Sequence, residues 1–150
     1  MRIFVDADGC PVVDLTIKCA DRYGIQVTLI CDTSHEFTGR GAEVITADKG
    51  ADSADFVLVN LISQGDIAVT QDYGLAAMCL ARKAYVLDQN GMIYDNSNID
   101  GLLLSRHIGK KLRRSGQRMK GPKKRTADKN EAFVRSLEKL ISETSDKEVQ

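Results

Sequence analysis

The feature that most constrains this fold is a repeated alternation. Very short apolar runs take turns with amphipathic segments, and glycine, proline or aspartate marks each junction. Ile3-Phe4-Val5 and Ile67-Ala68-Val69 are continuously apolar, with Val44-Ile45-Thr46 and residues 84–87 of the same kind, while residues 25–31 carry Val27, Leu29 and Cys31 in alternation. Runs this short and this apolar suit strands buried on both faces. Between them lie stretches of helical spacing: residues 11–23 with Val12, Val13, Ile17 and Ala20 in a stripe, residues 51–63 with Ala54, Val57, Leu58, Leu61 and Ile62, and residues 75–82. Pro11 suits a first helical position, and Gly24 and Gly65 stand where helices stop. Strands alternating with helices predict an α/β fold, a parallel sheet covered by helices on both sides. Asn90-Gly91 predicts a turn into a short returning strand at Met92-Ile93-Tyr94.

The last third reads as helical. Ser97 or Asn98 can cap a short helix holding Ile99, Leu102 and Leu103. Ser105 can cap a second, with Ile108 and Leu112 inside it. Residues 115–125 hold too few apolar side chains to pack and read as a loop. Phe133, Val134, Leu137, Leu140 and Ile141 form an amphipathic helix from Thr126. The expectation is one domain over residues 1–142 and a disordered tail over 143–150.

The net charge of zero hides an uneven distribution. Residues 106–125 contain ten Lys or Arg and no acid, so the rest holds 11 basic residues against all 21 acidic ones. A segment of +10 on a body of −10 suits a polyanionic partner, or equally a solvated helix and loop. No apolar run has membrane-spanning length and no signal-peptide pattern opens the chain, so the expected location is cytoplasmic. Cys10, Cys19, Cys31 and Cys79 match neither a redox pair nor a zinc site, and read as reduced core cysteines.

The chemistry lies in the acids at the ends of these elements. Asp6 and Asp8 end the first strand, ahead of a turn at Gly9 and Pro11. Asp52 and Asp55, three apart, share one face at the start of the second helix. Asp72 follows the fourth strand and Asp88 the fifth. In a parallel sheet these acids gather along the carboxyl edge, where open α/β sheets bind ligands. Converging carboxylates repel one another and take up protons unless a cation compensates. Oxygen-only donors suit Mg²⁺ or Mn²⁺. The set therefore points to metal-assisted phosphodiester hydrolysis. Each acid also has a plainer reading. Asp6 and Asp8 can stabilise a turn and a helix start, Asp52 and Asp72 can cap helices, Asp55 can serve as a first-turn acid, and Asp88 reads as a turn residue. Ser53 and Thr70 stand beside the acids, where a hydroxyl can hold a metal-bound water or a phosphate, but read first as caps, and His35 reads as a solvated loop residue. No P-loop or dinucleotide-binding glycine pattern is present, so no nucleotide cofactor is indicated.

Three motifs carry a resemblance: Val5-Asp6-Ala7-Asp8-Gly9-Cys10-Pro11-Val12, Gly50-Ala51-Asp52-Ser53-Ala54-Asp55, and Gly65-Asp66-Ile67-Ala68-Val69-Thr70-Gln71-Asp72. Gly121-Pro122-Lys123 and Asp128-Lys129-Asn130-Glu131-Ala132-Phe133 extend it. The sequence resembles the YaiI/YqxD family, within the PIN-like nuclease superfamily. That resemblance implies a PIN-like three-layer sandwich with a mostly parallel five-stranded sheet of order 3-2-1-4-5. It also implies a metal-dependent ribonuclease pocket at the carboxyl edge. By it, Asp6, Asp52 and Asp72 are the catalytic residues and metal ligands, and Asp8 and Asp55 lie near the metal or its waters. Phe56 departs from the family, which often has Asn there. Arg106, Lys110, Lys111, Arg113, Arg114, Lys123 and Lys124 would hold the nucleic-acid backbone, expected to be RNA. With few aromatic residues beside them, little base stacking or sequence specificity is expected. Two other functions fit parts of the pattern. Asp6-Ala7-Asp8-Gly9 with Val69-Thr70 also resembles a haloacid-dehalogenase-like phosphatase, but a helix starting at Pro11 leaves no room for the flap of those enzymes, and Asp52 and Asp55 then have no role. A non-catalytic RNA-binding or interaction module would use the acids only as caps.

Overall fold

The computed structural model describes residues 1–32, 36–47, 53–116 and 124–149. Five strands run parallel: β1 (Arg2–Asp6), β2 (Gln26–Cys31), β3 (Glu43–Thr46), β4 (Ile67–Val69) and β5 (Tyr85–Leu87). A sixth, β6 (Ile93–Tyr94), pairs antiparallel with β5 and extends the expected order to β3-β2-β1-β4-β5-β6. Strand β1 is central, with Ile3 opposite both Val27 and Ile67, and Val5 opposite Leu29 and Val69.

Side-chain alternation along β1 divides the core into two layers. Ile3 and Val5 face Val13 and Ile17 of α1 (Val13–Arg22) and Phe133 and Leu137 of α5 (Ala127–Val149). Phe4 faces the other layer, with Leu58 of α2 (Ala54–Leu61), Leu75 and Cys79 of α3 (Tyr73–Ala81), and Ile99 of α4 (Ile99–Arg114). Both faces of the central strands are covered, which is why Ile3-Phe4-Val5 and Ile67-Ala68-Val69 are apolar throughout, whereas β3 at the sheet edge stays partly exposed. No disulfide joins the four cysteines; Cys19, Cys31 and Cys79 are buried and Cys10 half-buried. Among the described residues no helix is long and apolar enough to cross a membrane.

The structure corrects several sequence-based boundaries. Helix α1 begins at Val13 and not at Pro11, because Val12 is not yet helical (φ −114°) and Cys10 N–H closes a turn onto Ala7 O at 3.0 Å. Helix α2 ends at Leu61, since Ile62 is already extended. Helix α3 starts two residues earlier than the apolar spacing suggests, because Asp72 caps it. The two short helices expected around Ser97 and Ser105 are one helix, α4; its Ile108 is 48% exposed and not internal. The expected disordered tail over 143–150 is helical through Val149. Thr144 continues the stripe of Phe133, Leu137, Leu140 and Ile141, and is buried because its hydroxyl donates to Leu140 O at 2.8 Å. A hydroxyl satisfied within its own helix can take a core position that an apolar pattern does not reveal.

Gly91, in the β5–β6 turn, shows how closely α5 approaches the sheet edge. Its φ is +88°, and a Cβ built there would lie 2.5 Å from Ala132 O. Ser136 Oγ donates to Gly91 O at 2.6 Å, so the turn and α5 are joined by hydrogen bonding as well as by contact.

Candidate active site

Strands β1 and β4 are parallel neighbours, so their carboxyl ends place Asp6 beside residues 70–72. Thr70 is 3% exposed and joins the two acids. Its hydroxyl donates to Asp6 Oδ2 at 2.9 Å and accepts the Asp72 N–H at 3.0 Å. Asp72 in turn caps α3, with Oδ1 accepting from Gly74 N at 2.9 Å and Leu75 N at 3.2 Å. Its position is therefore set by the start of a helix, and its negative charge lies where the helix dipole favours it.

Asp6 is pushed up from 3.8 to about 6. Burial is the largest cause; the Thr70 hydrogen bond opposes it, and the charges of Asp55, Asp72 and Asp8 add to the rise. Asp55, in the first turn of α2, is also raised, first by burial and then by the charge of Asp72 and a carboxyl–carboxyl hydrogen bond to it, against Arg106. These carboxylates, brought from three elements, thus repel one another as the sequence predicts. Asp8 serves the fold as well: its Oδ2 accepts the Asp32 N–H at 2.7 Å, tying the loop after β1 to the end of β2. Asp6, Asp8, Gly9, Cys10, Gln71 and Gln89 line a small cavity of about 40 Å³ at this edge.

The basic segment approaches this edge from both of its ends. Arg106, on α4, places Nη1 3.2 Å from Asp72 Oδ1. Gly74 leaves space for it, since a Cβ there would lie 3.3 Å from Asp72 Oδ1 and 3.7 Å from the guanidinium. Arg125, just before α5, clamps the β5–β6 turn. It donates to Gln89 O at 2.6 Å, Asn90 Oδ1 at 2.8 Å and Asn130 Oδ1 at 2.6 Å. Lys110, Lys111, Arg113, Arg114 and Lys124 are exposed, and none of them forms an ion pair among the described residues.

The structure thus brings Asp6, Asp55 and Asp72 into one electrostatic group, with Asp8 at its side. Asp52, Lys123 and His35 lie outside the described residues. Asp88 is the turn residue expected, its Oδ1 accepting from Asn90 N at 2.8 Å and Met92 N at 2.9 Å. Ser53 precedes α2 without a side-chain capping bond. Phe56 is 57% exposed on α2, one residue after Asp55. The sequence reading missed Thr70 as the link between the acids, although Thr-x-Asp after a buried strand is a visible signal. It also missed Arg125, Gln71 and Gln89, for which no local signal exists.

All the oxygen donors here, the carboxylates of Asp6, Asp8, Asp55 and Asp72 and the hydroxyl of Thr70, are of the hard kind that Mg²⁺ or Mn²⁺ prefers. Their mutual repulsion is relieved by a cation, and in this structure Arg106 is the cation beside Asp72. Among the described residues no group of three or more His, Cys, Asp or Glu side chains is arranged to hold a metal ion. In donor chemistry the residues fit such an ion; the described carboxylates do not form a closed ligand set.

Residues 4–143 match the family described as "Uncharacterized BCR, YaiI/YqxD family". A UPF0178 protein of Exiguobacterium sibiricum is 53% identical over 146 residues, covering 97% of this chain and 100% of the relative. Another, of Ruminiclostridium cellulolyticum, is 51% identical over 146 residues, covering 97% of this chain and 95% of the relative. Among solved structures, the crystal structure of Rae1 (YacP) from Bacillus subtilis is similar with a TM-score of 0.43 and 16% identity, over 95% of this chain and 99% of that one. Likeness at that level carries no functional argument.

Proposed function

The chain belongs to the YaiI/YqxD family, and from that premise we propose that it is a divalent-metal-dependent nuclease hydrolysing RNA phosphodiester bonds. One observation carries the reading. The acids and the basic segment meet at one edge of the sheet, with Arg106 on Asp72 and Arg125 on the turn that holds Gln89 against the Asp6 cavity. A polyanion laid along the basic residues is thereby led to the acids, whose own charge would otherwise repel it.

Asp6, Asp72 and, from outside the described residues, Asp52 would hold Mg²⁺ or Mn²⁺, with Asp55 and Asp8 beside them. Such an ion, when bound, neutralises phosphate charge and makes water more acidic. The rest falls to the chain. Thr70 keeps Asp6 and Asp72 in fixed relation. Burial and the neighbouring carboxylates raise Asp6 in the metal-free protein, and a cation bound there would relieve that rise and hold the group ionised. Arg106 is placed to leave Asp72 for a phosphate, and the exposed Lys110, Lys111, Arg113 and Arg114 hold the strand beyond it.

A second reading, an RNA-binding module without catalysis, is favoured by the capping role of Asp72 and the loop-tying role of Asp8. One experiment separates the two. Single-stranded RNA, single-stranded DNA and a small phosphomonoester are each incubated with the protein in Mn²⁺, Mg²⁺ or EDTA. RNA cleavage that requires the metal and is abolished by Asp6→Asn and Asp72→Asn is expected. Asn retains the capping and acceptor roles, so these variants test the charges. RNA bound but uncut in every metal supports the binding module, and monoester turnover without diester cleavage supports a phosphatase.

A further inference from the structure

A second cavity, of about 220 Å³, lies beside the acid pocket and is lined by Gln71, Tyr73, Asp88, Asn90 and Tyr94. Gln71 is common to both cavities. We propose that this cavity is a nucleobase subsite that reads guanine. The assignment rests on the nuclease reading for the placement of the phosphate over the acids, and on the cavity alone for the base.

Its walls supply a ring surface and a polar edge of defined sense. Tyr73 and Tyr94 meet edge-on, with centroids 6.1 Å apart and an interplanar angle of 67°. Tyr94 is held in place by its hydroxyl, which donates to Thr70 O at 3.1 Å, so the cavity is built on the same residue that links Asp6 and Asp72. The half-buried Tyr73 offers the stacking face.

The polar edge is oriented from outside. Arg125 has only donors, so the Asn90 atom it holds at 2.8 Å is the oxygen. The Asn90 Nδ2 is then left to donate elsewhere, and it has no partner among the described residues. Asp88 is oriented likewise. Its Oδ1 accepts two backbone N–H groups of the β5–β6 turn, and its Oδ2 has no partner among the described residues. The cavity lining therefore includes a donor, on Asn90, and a carboxylate acceptor, on Asp88, each oriented by contacts to its other arm. Guanine complements this pair: its N1–H and N2–H point the same way and converge on the available Asp88 Oδ2, while O6 accepts from Asn90. Uracil sets a carbonyl oxygen on each side of its one N–H, and adenine and cytosine set a ring acceptor beside their amine, so each gives the carboxylate a single donor. Asp88 is half-buried and Asn90 exposed, so water competes at this edge and a mismatch costs only part of the penalty of a fully buried one.

This departs from the expectation that sequence specificity would be minor, because the two tyrosines lie in the α/β body and not in the basic segment. The nucleotide would set its base in the cavity and its phosphate across Gln71 at the acid pocket.

The test measures binding apart from cleavage. Guanosine, inosine, adenosine, cytidine and uridine are titrated into the protein in EDTA and followed by ligand-observed NMR. Guanosine is expected to bind about tenfold tighter than adenosine, cytidine or uridine, and inosine, which lacks the 2-amino group, between them. Asp88→Asn keeps an oxygen for the two turn N–H groups and replaces the acceptor arm by a donor, so it should abolish the preference. Asn90→Asp keeps the Arg125 contact and should do the same, with circular-dichroism melts confirming that both variants fold. Equal affinity for the nucleosides, no binding of any, or a preference unchanged in both folded variants overturns the subsite. Since no metal and no cleavage are involved, failure of RNA hydrolysis leaves this result standing, and flat nucleoside binding leaves a positive hydrolysis assay standing.

Discussion

Asp6→Asn should make this protein more stable at neutral pH, although it removes the central acid of the site. In the metal-free protein the Asp6 carboxyl titrates near 6, against 3.8 for an ordinary Asp. Burial is the main cause, with like charges on Asp55, Asp72 and Asp8 behind it. The sign follows from proton binding. Between pH 4 and 6 the folded chain holds the Asp6 proton more tightly than the unfolded chain does, so folding loses free energy as pH rises through this window. At about 1.36 kcal/mol per pH unit the full difference is worth about 3 kcal/mol, and partial exposure of the side chain reduces it to about 1–2 kcal/mol. Asn has the shape of the protonated acid and still accepts the Thr70 hydroxyl, so it should escape this penalty. Urea unfolding of both proteins in EDTA, at intervals from pH 4 to 8, measures it. The two curves should coincide near pH 4 and diverge to about 1–2 kcal/mol in favour of Asp6→Asn by pH 7. Added Mn²⁺ should stabilise the native protein more than the variant and narrow the gap. If Asp6→Asn is the less stable protein at pH 7 in EDTA, the raised carboxyl and the convergence of charge behind it are both refuted.

Two other perturbations test the surroundings of the site. Gly91→Ala would force a Cβ to within 2.5 Å of Ala132 O at a φ of +88°, so it should cost at least about 2 kcal/mol in a thermal or urea melt, because backbone and not a flexible side chain must yield. Arg106→Gln removes a partly exposed ion pair, its two side chains 42% and 31% accessible, and should cost less than about 1 kcal/mol, a difference that vanishes in about 0.5 M salt. The same variant should move the Asp55 titration higher still in a carboxyl NMR experiment, since Arg106 is the group that holds it down.

The α/β class was legible because its signals are local. A strand buried on both faces must be short and apolar, and the chain must then turn; Ile3-Phe4-Val5 with Asp6 and Ile67-Ala68-Val69 with Thr70, Gln71 and Asp72 announce both facts within a few residues. The same locality limits boundaries. The start of α3 depended on a side-chain cap that apolar spacing cannot register, and the end of α5 on Thr144, whose hydroxyl is satisfied inside the helix. Helix α4 is unbroken because a serine able to cap a helix, here Ser105, can also lie exposed within one.

By itself, then, the sequence determined the alternation of elements, the two-sided burial of the sheet and the presence of acids at the carboxyl ends of its strands. Those follow from periodicity and from the cost of burying an Asp without a use. Only the tertiary structure decided which groups meet those acids. Thr70 reaches Asp6 across 64 positions, Arg106 reaches Asp72 across 34, and Arg125 reaches Gln89 across 36. A charged or polar side chain carries no record of its distant partner in its own neighbourhood, because the partner is chosen by how helices pack on a sheet and not by residues nearby in the chain. The cavity between the β4–α3 junction and the β5–β6 turn has the same origin. Its acceptor and donor are oriented by turn N–H groups and by an arginine 35 positions along the chain.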